Sequence, residues 1–226
     1  MTEELTASEL TVAMITRNEE SAIGKVLGDI RRAVPMAEVL IVDSSTDQTA
    51  KVAESFGARV LRQLPPRGYG PAMDAALRSA GGRAVVTLDC DDTYPAEVIP
   101  CMARLILDEG YDVVDGSRTQ RKSKAMPWLN YLANFGFGLL ASMLFGKRLT
   151  DLHSGMRAYR KSLIDDLCYR VDGAALPVEL LLRPVKLERR IKVIPIPYRN
   201  RLGVSTMRPL ESAWWTIRRI LEVRFS

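Results

Sequence analysis

Three carboxylates crowded into four residues are the strongest chemical signal in the sequence. Asp89, Asp91 and Asp92 directly follow Ala84 to Leu88, an apolar segment that predicts a buried strand. Left unpaired in a partly desolvated site, these carboxylates would repel one another. A bound cation relieves the repulsion, and hard oxygen ligands suit Mg²⁺ or Mn²⁺, whose shells substrate phosphates often complete. The run therefore predicts a divalent metal on Asp89 and Asp91.

The end of the same run allows a structural interpretation. Asp92 or Thr93 could cap the helix that is predicted after Pro95, because short polar side chains accept hydrogen bonds from the first free N–H groups of a helix. For Asp92 the two interpretations remain open.

A glycine-containing loop, Arg67-Gly68-Tyr69-Gly70-Pro71, leads directly into a predicted helix. Glycine allows close approach of the backbone, and a helix N-terminus offers unpaired N–H groups to an anion. A tight turn is the simpler interpretation of the loop alone. Beside an acidic run that predicts a metal, the loop favours a diphosphate ligand.

Two basic loops lie in the second half, 151–157 with Arg157 and 198–205 with Arg199 and Arg201. The planar guanidinium group fits phosphate oxygens in bidentate fashion. The alternative is a set of surface ion pairs with Asp165, Asp166 or Glu188. His153 is the only histidine. A lone histidine in a loop more often forms local hydrogen bonds than acts as a catalyst, although beside a phosphate it could donate to an acceptor or a sugar.

Composition limits the protein classes. The 226 residues are 47% hydrophobic, as in a globular protein, and three cysteines without paired spacing argue against a disulfide framework or a zinc site. Together with a polar N-terminal segment that lacks a secretory signal, this predicts a cytoplasmic protein. Residues 1–117 carry a net charge of −8 and residues 118–226 a net charge of +13, which suggests an anionic partner. Nucleic acid is not expected, because the carboxylate run repels a phosphate backbone.

The chemical residues are positioned by strands that alternate with helices. Strands are predicted at 11–16, 39–42, 59–61, 84–88 and 112–114, and helices around 23–30, from Ser44-Ser45-Thr46 to Phe56, from Pro71 to Gly81, and at 96–107. This order predicts an α/β fold with a mainly parallel sheet covered on both faces. Ligands of such sheets bind beyond the carboxyl ends of the strands. The polar residues cluster there, directly after the predicted strands. Gly116-Ser117-Arg118 is expected just after the fifth strand.

Two apolar stretches mark the second half. Met126 to Phe145 has the length of a membrane span but contains a proline and two glycines, so we expect a surface-lying amphipathic helix. Trp214 and Trp215 begin a second amphipathic stretch, explained equally by core packing or membrane contact. Glu179, on an otherwise apolar helix, is expected to pair with an arginine.

Five motifs in fixed order resemble those of family 2 glycosyltransferases, with the closest likeness to the dolichol-phosphate mannose synthase group. They are Thr16-Arg17-Asn18-Glu19, Val42-Asp43-Ser44-Ser45-Thr46-Asp47, Arg67-Gly68-Tyr69-Gly70, Leu88-Asp89-Cys90-Asp91 and Ser154-Gly155-Met156-Arg157. The resemblance covers about Val12 to Thr206 and implies a GT-A fold, a Rossmann-like three-layer sandwich forming one domain over 1–226. It places the nucleotide in 1–117 and the acceptor in 118–226.

The resemblance also implies roles for individual residues. Nucleotide-binding residues would be Thr16, Asn18, Glu19, Asp43, Ser45, Gly68, Gly70 and Asp89, with Asp89 and Asp91 on the metal. Acceptor-binding residues would be Arg118, Ser154, Arg199 and Arg201, and catalytic residues Asp91, Arg118, His153, Arg157 and Arg201. Ile15, Arg17 and Thr93 depart from the family pattern, which leaves base recognition and part of the metal shell open.

The implied reaction is an inverting transfer of a mannose-like or glucose-like sugar from a GDP- or UDP-linked donor. With a polyprenyl phosphate as acceptor no general base is required, whereas a hydroxyl acceptor would need one, and Asp151 or His153 are candidates. The expected site of action is then the cytoplasmic face of a membrane, with an anchoring partner or a homo-oligomer as further options. The alternative is a soluble enzyme, such as a mutase or a small-molecule glycosyltransferase, that modifies a nucleotide sugar at the same metal site without a lipid.

Overall fold

A computed structural model describes residues 5–120, 126–172, 175–201 and 209–226. Within these residues the strands are β1 Leu10–Thr16, β2 Glu38–Asp43, β3 Arg59–Arg62, β4 Ala84–Thr87, β5 Val113–Ser117, β6 Arg157–Arg160 and β7 Ile191–Pro195. The helices are α1 Glu20–Ala33, α2 Thr49–Ser55, α3 Tyr69–Ser79, α4 Ile99–Leu107, α5 Trp128–Phe145, α6 Lys161–Asp166, α7 Leu176–Lys186 and α8 Pro209–Phe225. A single 3₁₀ turn, Ala96–Val98, precedes α4.

The strands form one sheet in the order β3-β2-β1-β4-β6-β5-β7. Neighbouring strands run parallel except at β6, which is antiparallel to both β4 and β5. The mainly parallel α/β sheet expected from the sequence is therefore confirmed. The sequence did not predict β6 or β7, through which the second half of the chain joins the same sheet.

Helices cover both faces of the sheet, and the alternation of side chains along β1 shows how. Val12 and Met14 point into a core shared with α1 and α4, where Leu27 and Ile99 are fully buried. Ala13, between them, points to the opposite face, where α3, α6 and α7 pack. This is the period-two pattern of a strand buried on both sides.

A third apolar cluster joins α5, α7 and α8 beside the sheet. Glu179 of α7 is buried within this region and accepts hydrogen bonds from Arg183 and from Arg219, at 2.5 and 3.0 Å. The arginine pairing expected for Glu179 is confirmed, and it joins α7 to α8 through a buried charge pair.

The predicted cap of α2 is wrong, and the capping alternative for Asp92 and Thr93 does not hold. No side chain caps α2: the Ser45 hydroxyl donates to Asp43, and Asp47 instead accepts a bond from the Thr49 N–H at 2.9 Å. Asp92 and Thr93 likewise do not cap α4, which is entered through the 3₁₀ turn after Pro95. Ser45 and Thr93 instead donate to a neighbouring carboxylate, a local alternative to capping.

The fifth strand is longer than predicted. Gly116 and Ser117 lie inside β5, so that Arg118 alone follows it directly. Gly116 is required there because a Cβ atom would lie 2.8 Å from the Met156 carbonyl oxygen. The close approach lets the 151–157 segment lie against the end of the sheet.

Candidate active site

The carboxyl ends of β1, β2, β4 and β5 point to the same edge of the sheet, since these strands are parallel to one another. The segments that follow them carry Glu19, Asp43, Asp89 and Arg118. The expected clustering beyond the strand ends is therefore seen. The contacts of each residue decide what it can do there.

Asp89 lies half-buried beneath Gly155. A Cβ atom at Gly155 would come within 2.6 Å of the Asp89 carboxylate, so any larger residue there would have to displace that carboxylate. Burial, and then the charge of Asp91, raise the pKa of Asp89 to about 6, although Arg118 and Arg201 act in the opposite direction. The positive charge of the two arginines thus does not fully offset burial and the repulsion from Asp91.

Asp91 is buried, and both of its carboxylate oxygens have partners. Oδ1 accepts bonds from the N–H and the hydroxyl of Thr93, at 3.1 and 2.5 Å. Oδ2 accepts from Arg201, whose Nε and Nη2 lie 2.6 and 2.5 Å away. Arg201 remains about one-third exposed, so it can leave Asp91 without a large rearrangement.

Glu19 adds a third negative charge near this pair. Burial, followed by the charge of Asp91, raises the pKa of Glu19. Within the described residues, no three His, Cys, Asp or Glu side chains form a metal site. The donor set fits a cation held by one or two carboxylates with ligand oxygens completing its shell, as the chemistry of Mg²⁺ and Mn²⁺ allows.

Arg118 is held by a fork-to-fork pair with Asp151. The Arg118 Nε and Nη2 donate to the two carboxylate oxygens of Asp151 at 2.8 and 2.9 Å. The backbone N–H of Arg118 donates to Asp151 Oδ2 at 3.1 Å. The ring of Tyr198 lies 5.3 Å from the guanidinium carbon. Although burial alone would raise it, the pKa of Asp151 is lowered by Arg118. Asp151 is thus an ionised anchor, which argues against its candidacy as a general base.

His153 is a structural link. Its Nδ1 lies 3.2 Å from Asn134 Oδ1 on α5, and its Nε2 lies 2.8 Å from the Thr216 hydroxyl on α8. The backbone N–H of His153 donates to Asp151 Oδ1 at 3.2 Å. Burial lowers the pKa of His153 to about 4, partly opposed by Asp151 and reinforced by Arg118 and Arg157. Both ring nitrogens are occupied, so the geometry favours the local hydrogen-bonding role over the catalytic role that the resemblance implied.

Arg157 is also buried, which argues against the catalytic role that the resemblance implied. Its Nε donates to Asp115 at 2.6 Å, and its other nitrogens donate to the carbonyl oxygens of Pro177 and Asp151. Both members of the pair are only 1% exposed. Arg157 therefore joins β6, β5 and the 151–157 segment from within and does not face a ligand.

The predicted nucleotide residues split into buried and exposed groups. Asp43 and Ser45 are fully buried, and the Asp43 carboxylate accepts bonds from Thr16, Ser45 and Arg62. Asn18 is exposed at φ +58, and its N–H donates to the Ser45 hydroxyl at 2.8 Å. The buried group forms a base on which the exposed Asn18 loop rests, and contact with a nucleotide stays a prediction for all of them.

The glycine loop has the conformation that its sequence requires. Gly68 is exposed with φ +94, which L-residues rarely adopt, and α3 begins at the next residue. Gly70 lies in the first turn of α3 and is buried. Tyr69 is the first residue of this turn, and its pKa is raised by burial and then by the charge of Asp89. The loop and the N–H groups of the first helical turn therefore lie next to the acidic run.

Two predicted acceptor residues make other contacts. Ser154 is buried and donates to the Gly116 carbonyl oxygen at 2.5 Å. Arg199 donates to Glu97 at 2.6 Å and lies 3.9 Å from Asp92, which itself pairs with Lys25. The ion-pair alternative thus holds for this arginine, but its partners are not the expected Asp165, Asp166 or Glu188. For the acceptor role, Arg118 and Arg201 remain the better placed residues.

Two supporting residues were missed in the sequence. Tyr94 accepts a bond from the Gly155 N–H at 2.7 Å and so holds that glycine above Asp89. Arg62 pairs with Asp43 from the end of β3. Their positions, directly after the acidic run and at the carboxyl end of a neighbouring strand, were the available signals.

Comparison with known proteins identifies the family. Residues 11–168 match the family described as "Glycosyl transferase family 2". The chain belongs to this family. It is 46% identical over 207 residues to a dolichyl-phosphate hexose transferase of Haloferax volcanii, covering 91% of this chain and 90% of the relative. It is 30% identical to an undecaprenyl-phosphate mannosyltransferase of Micrococcus luteus, covering 85% and 84%. The expected family and the hexosyltransferase activity are thus confirmed.

Solved structures show that this family 2 glycosyltransferase has the GT-A fold. Glucosyl-3-phosphoglycerate synthase of Mycobacterium tuberculosis, in complex with Mn²⁺, UDP and phosphoglyceric acid, superposes with a TM-score of 0.76. The identity is 23%, and the match covers 96% of this chain and 79% of that one. Mannosyl-3-phosphoglycerate synthase of Rubrobacter xylanophilus gives a TM-score of 0.70 at 20% identity, covering 96% and 73%.

Replacing Arg157 by leucine should destabilise this glycosyltransferase by about 3–5 kcal/mol, because the Asp115 charge would be left buried without a partner. Urea denaturation measures this loss. The double variant Arg157→Leu/Asp115→Leu, which removes both charges, should be clearly more stable than the single variant. Unchanged stability with lost turnover in Arg157→Leu would restore the catalytic interpretation.

Acidification should destabilise the enzyme through His153. Between about pH 6.5 and 4 the unfolded chain binds a proton on this imidazole that the folded protein excludes, so stability falls as the pH is lowered through that window. The loss should be smaller in His153→Asn, measured by thermal unfolding against pH. Since the chain has one histidine, its imidazole signal in NMR gives the pKa directly. A titration near 6.5 in the folded protein would contradict the burial argument.

Proposed function

We propose that this glycosyltransferase moves a hexose from a nucleoside-diphospho-sugar to a polyprenyl phosphate, with inversion at the anomeric carbon and with a divalent metal. One observation carries the proposal. Asp89 and Asp91 follow β4 at the ligand edge of the sheet, and Arg118 and Arg201 are both close enough to lower the pKa of Asp89. A negative pair for a cation and a positive pair for phosphate thus share one cleft.

The donor half of the proposal rests on Asp89, Asp91 and the Gly68-Gly70 loop. A divalent cation bound there, Mg²⁺ or Mn²⁺, would neutralise charge on the departing nucleoside diphosphate. The M. tuberculosis neighbour binds Mn²⁺ together with UDP in the same fold, which supports this choice. Gly68 and the first turn of α3 would bind the diphosphate through N–H groups, and Asn18 and Glu19 border the nucleotide.

The acceptor half rests on the two arginines. An acceptor phosphate is already an anionic nucleophile, so the protein needs to position it and not to deprotonate it. Asp151 fixes the guanidinium group of Arg118, and Arg201 can exchange Asp91 for a phosphate oxygen because it is partly exposed. Neither of the two candidate bases is free: Asp151 is paired with Arg118, and His153 is occupied on both ring nitrogens. This favours a phosphate acceptor over a hydroxyl.

The relatives support a lipid-linked acceptor, since both act by name on dolichyl or undecaprenyl phosphate. The reaction would then take place at the cytoplasmic face of a membrane. We also propose that the chain is one domain, because strands from both halves alternate in one sheet. A soluble enzyme acting on the nucleotide sugar alone is the competing outcome of the test below.

The transfer reaction tests the function. The UDP-, GDP- or dTDP-sugar that most raises the melting temperature with Mn²⁺ is incubated with polyprenyl phosphate, and the product is identified by mass spectrometry. Transfer should require the lipid phosphate and should fall at least about a hundredfold in Asp91→Ala, a typical loss for a transition-state electrostatic group.

Asp92→Asn is the matched control. Asp92 neighbours Asp91 but pairs with Lys25, and asparagine tolerates its φ of +63, so the variant should keep its turnover. A product formed without any lipid phosphate would favour the soluble enzyme. Full metal-dependent turnover in Asp91→Ala would overturn the mechanism.

Arg201 and the cation should compete for Asp91. Arg201→Gln should bind Mn²⁺ more tightly, by up to about fivefold, since a partly exposed ion pair contributes roughly 0.2–1 kcal/mol. Electron paramagnetic resonance of free Mn²⁺ measures this without substrate or turnover. Arg199→Gln, which removes a pair with Glu97, is the control and should leave the affinity unchanged. Equal Mn²⁺ affinities in the wild type and both variants would show that Arg201 does not compete with the cation for Asp91.

A further inference from the structure

Exposed apolar side chains are concentrated on two helices. Among the described residues, eleven of the fifteen large hydrophobic side chains that are exposed lie on α5 or α8. On α5 they are Trp128, Leu129, Tyr131, Leu132, Phe135, Leu139 and Met143, and on α8 Trp214, Ile217, Leu221 and Phe225. We call this set the apolar platform. A patch of this kind marks an interaction surface, because soluble proteins rarely expose one without a partner.

The opposite side of α5 is fastened to the protein. A Cβ atom at Gly138 would lie 2.9 Å from the Leu149 carbonyl oxygen, so the helix approaches that segment at backbone distance. The Ser142 hydroxyl accepts a bond from the Leu149 N–H at 2.9 Å. Although α5 alone among the described helices is long and apolar enough to cross a membrane, these contacts hold it along the protein surface.

The second helix lies beside the first in the same direction. Near the middle of both helices His153 bridges Asn134 of α5 and Thr216 of α8, and at their C-terminal ends Arg224 donates to the Leu144 carbonyl oxygen at 2.8 Å. The two exposed stripes therefore belong to one continuous pair of helices. The platform is also joined to the acceptor side of the site. The backbone N–H of His153 donates to Asp151, and the Asp151 carboxylate holds Arg118.

The charges around the platform indicate its partner. The sequence of α5 contains no charged residue, and exposed Lys147 and Arg148 follow its C-terminal end. On α8, the Arg218 guanidinium pairs with Glu222 at 2.7 Å and lies 5.1 and 5.5 Å from the rings of Trp214 and Trp215. Tryptophan, aliphatic side chains and flanking cations are the composition of helices that lie in the interface of an anionic bilayer.

We propose that the apolar platform docks flat on a lipid bilayer that carries anionic head groups, and thereby turns the Arg118 side of the site toward the membrane. The proposal deepens the proposed function, on which it rests for the lipid-linked acceptor. A polyprenyl phosphate keeps its chain in the bilayer, so a headgroup-level site next to a docking surface removes the need to extract it.

Vesicle flotation of the full chain, without donor or acceptor, tests the docking. The wild type should float with phosphatidylcholine vesicles that contain phosphatidylglycerol. Leu132→Gln/Leu139→Gln should reduce the bound fraction at least about tenfold, because two apolar side chains lose their burial in lipid. The matched control Leu64→Gln/Leu187→Gln changes two equally exposed leucines outside the platform and should bind as the wild type does. Arg218→Gln should weaken binding only when phosphatidylglycerol is present.

Other occupants give different results. If the platform variant turns a dimer into a monomer by light scattering and vesicle binding is absent in the wild type, the surface is an interface with a second copy and the proposal is overturned. Equal vesicle binding by both double variants would also overturn it. Transfer to a short-chain isoprenyl phosphate in solution separates the two claims: the platform variant should keep this activity, whereas its absence in the wild type would count against the proposed function and not against docking.

Discussion

The site depends on how the negative charges after β4 are balanced. Asp89 and Asp91 are two residues apart, and Glu19 adds a third charge from the segment after β1. Burial makes their mutual repulsion costly. In the protein alone, Arg201 neutralises Asp91, whereas Asp89 keeps a raised pKa despite Arg118. In the proposed function, the incomplete balance at Asp89 would make the site receptive to a cation, and the partly exposed Arg201 could exchange Asp91 for another partner.

Much of the second half serves to deliver these arginines to the first. The 151–157 segment crosses the end of the sheet and is held there by the Ser154 bond to Gly116, the Tyr94 bond to Gly155 and the buried Arg157–Asp115 pair. Asp151 can orient Arg118 only because that segment is fixed. The buried ion pairs are therefore better understood as devices that set geometry than as sources of stability, since burying charge is itself costly.

The sequence predicted the first half well because its signals are local. Apolar runs of four to seven residues give β1, β2 and β4, and Gly57 ends α2 with a φ of +72, as its position after a helical segment suggested. Such runs also place Asp89 and Asp91 at the ligand edge. By contrast β6 was missed, since its four residues begin and end with arginine and its stabilising neighbours β4 and β5 lie 40 or more residues earlier. Likewise Arg157 resembles a ligand residue in sequence, and only the partner Asp115 in another strand reveals that it is buried.

The arrangement at Asp91 has a consequence for how ligands enter. A cation that arrives alone must displace Arg201 from a buried carboxylate and leave the guanidinium group without a partner. A cation that arrives with a diphosphate brings phosphate oxygens that can accept the same N–H donors, so the cost of breaking the pair is offset within the site. In the proposed reaction this charge balance would favour binding of metal and nucleotide as a unit. Arg201, released from Asp91, would then be available to the phosphates when an acceptor anion requires a positive neighbour.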